Sequence, residues 1–142
     1  MKYFEIVRDP INPAEVIAKV GGPDIGAIVP FIGTVREFTK GKRTIYLEYE
    51  AYEPMAVQTM ADIAKEIKER WPHTQLAMTH RIGRLDIGDI AVVSVVAAPH
   101  RDVGFAASAY AIDRLKEIVP IWKKENWDDG SEWIGHQKGF AT

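Results

Sequence analysis

Residues 75–119 read QLAMTHRIGRLDIGDIAVVSVVAAPHRDVGFAASAYAIDRLKEIV, and the spacing of apolar residues along this stretch decides the fold class. Residues 75–82 and 90–98 are short, apolar and rich in β-branched side chains, and Asp86-Ile87-Gly88-Asp89 lies between them. That pattern predicts two strands joined by a turn. After Pro99 the spacing becomes helical, from about Asp102, a good N-cap, to Val119 before Pro120. Upstream, Pro54 opens a second long helix in which Ala56, Met60, Ile63 and Ile67 keep helical spacing and which Pro72 ends. Residues 2–8, 25–36 and 44–52 read as further strands, with a polar loop over 37–43 centred on Gly41. Pro30 cannot donate to a sheet ladder, so its strand must run at an edge or carry a bulge. Asn12-Pro13-Ala14-Glu15 supplies an N-cap, a proline at the first helical position and a capping-box acid for a short helix that Gly21-Gly22 stops. Downstream, extended pieces at 121–124 and 132–134 flank an Asp128-Asp129-Gly130 turn. Strands and helices mix without strict βαβ alternation, so the expectation is a single α+β domain over residues 1–142 with three main helices.

Composition narrows the function. The 142 residues are 46% hydrophobic and 27% charged, which fits one globular domain large enough to bury a core without disulfide or metal staples. With no cysteine, a cysteine nucleophile, a thiolate metal site and a persulfide carried on this chain are all excluded. A net charge of −2 argues against general nucleic-acid binding. Neither a signal-peptide pattern nor a bilayer-length apolar run occurs, so no membrane role and a cytoplasmic location are expected. The chain lacks dinucleotide, P-loop and nucleophile-elbow motifs, and His73, His80, His100 and His136 show no paired ligand spacing. No resident cofactor and no metal are expected.

The predicted helix over 102–119 carries one anomaly. With Phe105 at the origin of a helical wheel, Ala109, Ile112, Leu115 and Val119 form an apolar stripe and Lys116 falls near its middle. Such a lysine either snorkels to water or is held where desolvation frees its amine as a base or nucleophile. Lys123 and Lys124 follow the Val119-Pro120 break and bring three amines into one short segment. A second cluster, Pro99-His100-Arg101, ends a buried strand and opens the helix, where free amides, a guanidinium and an imidazole suit an anion. Arg36 is a third candidate anion ligand. Lys116 lies about fifteen residues beyond Arg101, on the order of 20 Å along a helix. If both serve one site, His100 and Arg101 must come from a second copy of the chain, which implies a symmetric homodimer.

Five ordered blocks, GAIVPFIGTVR (26–36), LEYEAYEPMA (47–56), HRIGRLDIGD (80–89), APHRDVGFAA (98–107) and LKEIVPIWKKE (115–125), resemble the large, catalytic subunit of molybdopterin synthase. The resemblance implies an α/β-hammerhead type of α+β fold and a central homodimer. Each large subunit is then expected to bind one small ubiquitin-like sulfur-carrier subunit, completing a heterotetramer. The implied reaction installs two sulfurs, delivered as thiocarboxylates on that small subunit, into cyclic pyranopterin monophosphate (precursor Z) to form the dithiolene of molybdopterin. By the same resemblance Lys116 and Lys123 are catalytic, and Thr34, Val35, Arg36, His100, Arg101, Lys116, Lys123, Lys124 and Glu125 contact substrate. From the residues alone three other readings stay open: a non-catalytic homodimer binding a phosphorylated ligand, a Schiff-base enzyme using Lys116, and a scaffold that docks an extended tail.

Overall fold

The computed structural model describes residues 1–128 and 130–134. Its elements run β1 (Phe4–Val7), α1 (Pro13–Ile17), β2 (Ala27–Thr34), β3 (Phe38–Thr39), β4 (Lys42–Ala51), α2 (Glu53–Arg70), β5 (Gln75–Arg81), β6 (Gly83–Asp86), β7 (Ile90–Ala98), α3 (Arg101–Ile118), β8 (Ile121–Trp127) and β9 (Gly130–Ile134). One sheet has the order β1-β5-β7-β2, and a second has β3-β4-β8-β9 with β6 also paired to β4. Only β1 and β5 pair in parallel in the first sheet, as expected of α+β rather than doubly wound architecture.

The strands β5 and β7 are central and covered on both faces, which explains their nearly unbroken apolar sequence. Leu76, Met78, Val96 and Ala98 face α2 and α3, whereas Ala77, Val93, Val95 and Ala97 face Val16 and Val20 around α1. All four spaced residues of α2, Ala56, Met60, Ile63 and Ile67, are fully buried. Asn12 caps α1 by accepting from the Ala14 amide at 3.0 Å. Pro30 lies on β2, an edge strand that also carries a register shift between Gly33 and Thr34.

Four expectations are corrected. The connection between β5 and β7 holds an unexpected strand, β6, ahead of the expected Asp86–Asp89 turn, because Gly83 at φ +93 bends the chain out of the first sheet and onto β4 of the second. The loop over 37–43 holds a tight hairpin in which Phe38 opposes Arg43. Helix α3 starts two residues early, with His100 as N-cap and Asp102 already in the first turn. Its buried face is Gly104, Ala107, Ser108, Ala111, Ile112 and Leu115, while Phe105 is 63% exposed. The reason is close approach: a Cβ on Gly104 would stand 3.0 Å from Val29 Cγ2, so small residues, not the large Phe105, meet the sheet. The true stripe is rotated about a quarter turn from the predicted one, which leaves Lys116 half-buried at its margin. On the far flank Tyr110 and Arg114 bind Glu66 of α2. Asp129 of the expected turn and His136 lie outside the described residues. Among the described residues no helix is long and apolar enough to cross a membrane.

Candidate active site

The strand β8 runs antiparallel to β4 with Lys123 opposite Tyr49, Lys124 opposite Glu48 and Glu125 opposite Leu47. Alternation along a strand sends neighbours to opposite faces. Lys123 and the buried Glu125 therefore share the inner face with Tyr49 and Leu47, over the small core of Val35, Leu47, Leu85 and Ala91. Lys124 turns to the reverse face, where its Nζ lies 5.9 Å from the Trp133 ring. The expected gathering of three amines is thus corrected: the pleat separates Lys124 from Lys123.

Burial holds the Lys123 amine below the ordinary lysine range. Attraction to Glu125 opposes this, and the positive charges of Lys116, Arg36 and Lys40 reinforce it. Lys116 arrives from the last turn of α3. Arg36 follows β2 and donates through Nε to Thr39 Oγ1 at 3.1 Å, which ties it to the β3–β4 hairpin. Lys40 sits at that hairpin's tip in a left-handed conformation, φ 52. Four cations and one carboxylate acting together, with a partly desolvated amine among them, suit an anion.

Thr34 ends β2 and is exposed, and Val35 beside it is only 4% exposed. The Val35 amide donates to the Asp89 carbonyl at 2.9 Å, and its carbonyl accepts from the Gly88 amide at 2.8 Å. With both backbone groups engaged and its side chain in the core, Val35 anchors the segment and leaves Thr34 and Arg36 pointing outward.

His100 and Arg101 are exposed at the opposite end of α3. The helix is unbroken over the intervening fifteen or so residues, about 22 Å of rise, so one chain does not bring this pair to Lys123. An apolar surface of Phe105 on α3 and Ile28 and Ile32 on edge strand β2, each more than 40% exposed, belongs to the same helix and sheet edge. Reading the sequence missed Lys40, which had no pattern linking a polar loop to the lysines. It also missed Tyr49, although that residue stands inside the LEYEAYEPMA block.

Behind the pocket, His80 packs edge-on to Tyr49, with centroids 4.9 Å apart. His80 lies in the core, and burial pushes its pKa down to about 4 against the opposing hydrogen bond in which Nδ1–H donates to the Arg81 carbonyl at 2.8 Å. The folded protein therefore keeps His80 neutral, while the unfolded chain protonates near the usual 6.5. Stability from this group is full above pH 6.5 and falls with pH until the folded state also protonates near 4, a loss of about 3 kcal/mol. We expect His80→Phe to flatten that acid limb in thermal melts between pH 4 and 7. Parallel limbs in the two proteins would refute the assignment.

Residues 6–118 match the family model described as MoaE protein. The molybdopterin synthase catalytic subunit of Bacillus subtilis (strain 168) is 59% identical over 137 residues, which cover 96% of this chain and 87% of the relative. That of Staphylococcus carnosus (strain TM300) is 56% identical over 140 residues, covering 99% and 93%. The crystal structure of molybdopterin synthase from Staphylococcus aureus matches with a TM-score of 0.91 at 54% identity, over 96% of this chain and 99% of that one. The family match spans Arg36, Tyr49, His100, Arg101 and Lys116 and stops short of Lys123. The chain belongs to the MoaE protein family, whose relatives in Bacillus subtilis and Staphylococcus carnosus are molybdopterin synthase catalytic subunits.

Proposed function

We propose that this chain is the catalytic subunit of a molybdopterin synthase, a sulfurtransferase that converts precursor Z to the dithiolene of molybdopterin in molybdenum cofactor biosynthesis. The observation that carries this reading is Lys123 on the inner face of β8 beside the buried Glu125, its amine held down by burial and by the positive charges of Lys116, Arg36 and Lys40. The cations suit a phosphorylated substrate and an incoming thiocarboxylate, and an amine held below the ordinary lysine range suits proton transfer. Arg36 holds the phosphate, Lys116 orients the thiocarboxylate at the carbon that receives sulfur, and Lys123 exchanges protons as the cyclic phosphate opens. A chain without cysteine fits this division of labour, because sulfur arrives on the small ubiquitin-like sulfur-carrier subunit.

The distance along α3 supports a homodimer in which His100 and Arg101 of a second protomer complete each pocket, within a heterotetramer carrying one small subunit per large one. The exposed apolar residues of β2 and Phe105 give such a dimer a surface to bury. This reading carries a cytoplasmic location with it. The test is direct: mixed with precursor Z and a thiocarboxylated small subunit, the protein should yield dithiolene product and consume the thiocarboxylate. Binding of either component without product overturns it.

A further inference from the structure

Tyr49 lies directly opposite Lys123 in the β4–β8 ladder, and such residues share a sheet face with Cβ atoms about 5 Å apart. Its partner on the other side, in β6, is Gly83, which offers no side chain. From the first sheet, His80 of β5 meets the Tyr49 ring at 69°. His80 is itself fixed by burial and by its bond to the Arg81 carbonyl. Tyr49 also packs on the Val35, Leu47, Leu85 and Ala91 cluster. One ring therefore joins the core of the first sheet to the amine of the second.

We propose that Tyr49 is the positioning residue for Lys123: its ring, clamped by His80, is the dry wall beneath the lysine stem and holds the amine at the mouth formed by Arg36 and Lys116. Resting on the sulfur-transfer reading, this role favours the neutral form of the Lys123 amine, the form that accepts a proton. The groups facing Lys123 are Lys116 from α3, Arg36 after β2, Lys40 from the hairpin, Glu125 on its own strand, Glu132 opposite Glu125 on β9, and Tyr49. Burial and Glu125 push the Tyr49 hydroxyl up to about 12, so it stays protonated and adds no charge of its own. It acts on Lys123 by excluding water. Losing the ring admits water, restores solvation of the ammonium and moves Lys123 titration to higher pH.

The experiment follows acylation of individual lysines by an amine-reactive reagent across pH, read by mass spectrometry on the full chain, alongside turnover against pH. The labelling midpoint is used because it reports titration independently of how easily the reagent reaches the amine. In Tyr49→Ala, and in Tyr49→Leu should the alanine variant not fold, the Lys123 midpoint shifts to higher pH and the turnover profile shifts with it. Tyr49→Phe, which keeps the ring, restores the wild-type midpoint. An unmoved midpoint in a folded Ala or Leu variant overturns the proposal, and so does a Phe variant that shifts as far as Leu. Labelling needs neither small subunit nor substrate. A failure of the sulfur-transfer reading would therefore appear as absent product with the Lys123 midpoint still moved.

Discussion

Lys123→Ala should lower dithiolene formation by roughly two orders of magnitude or more, the range that removing a positioned proton-transfer group costs. Lys124→Ala should stay within a few-fold of wild type. The two residues are adjacent and identical in charge, so bulk electrostatics predicts equal losses, whereas the pleat of β8 turns only Lys123 toward Glu125, Lys116 and Arg36. Lys116→Ala should also abolish conversion while leaving the protein folded, since this side chain is only half-buried in the last turn of α3. Rates measured with saturating small subunit decide the matter. Comparable defects at 123 and 124 would mean that summed charge, not placement, drives the reaction.

The second large effect is a recovery. Lys116→Ala and Arg101→Ala homodimers should each be weak, yet a heterodimer containing one chain of each should turn over at about half the wild-type rate. If a pocket takes Lys116 from one chain and Arg101 from the other, one of the two pockets in that heterodimer is wholly wild type and the other carries both defects. If each pocket were drawn from a single chain, both would be damaged and no activity would return. Purified heterodimer, with its composition verified by mass, is the required sample. Failure to recover would sink the shared pocket and leave the roughly 22 Å of unbroken α3 between Arg101 and Lys116 without a functional explanation.

The elements most legible in the sequence were those whose burial is simple. The four core residues of α2 and the doubly covered strands β5 and β7 announce themselves through strong periodicity or sustained apolarity. Helix α3 was harder, because its sheet-facing side is lined by Gly104, Ala107, Ser108 and Ala111, which carry little hydrophobic signal, while the large Phe105 faces outward. A stripe drawn through the large residues therefore puts Lys116 at its middle, whereas the stripe that packs lies about a quarter turn away. The strand β6 has only four residues, too few to show a period, and its existence depends on β4 being there to receive it. For the site, the lysines, Arg36 and the separation of His100 and Arg101 were readable. The divergence of Lys123 and Lys124 was not, because the predicted extended piece ended at 124, short of the full strand whose register fixes the faces. Lys40 and Tyr49 enter only through tertiary pairing.

The register of β8 also has a consequence for tolerance to length errors. A strand has two-residue parity, so removing one residue between Pro120 and Lys123 while the pairing with β4 is retained would exchange inward for outward positions along everything that follows. Lys124 would then take the inward place of Lys123, and the pocket would still contain an amine. The place of Glu125 would fall to Asn126, whose amide carries no charge to balance that ammonium. The lysine doublet thus makes the cation redundant under a slip of one, whereas the carboxylate has no spare, and a frame-preserving deletion here would fail through the acid rather than the base.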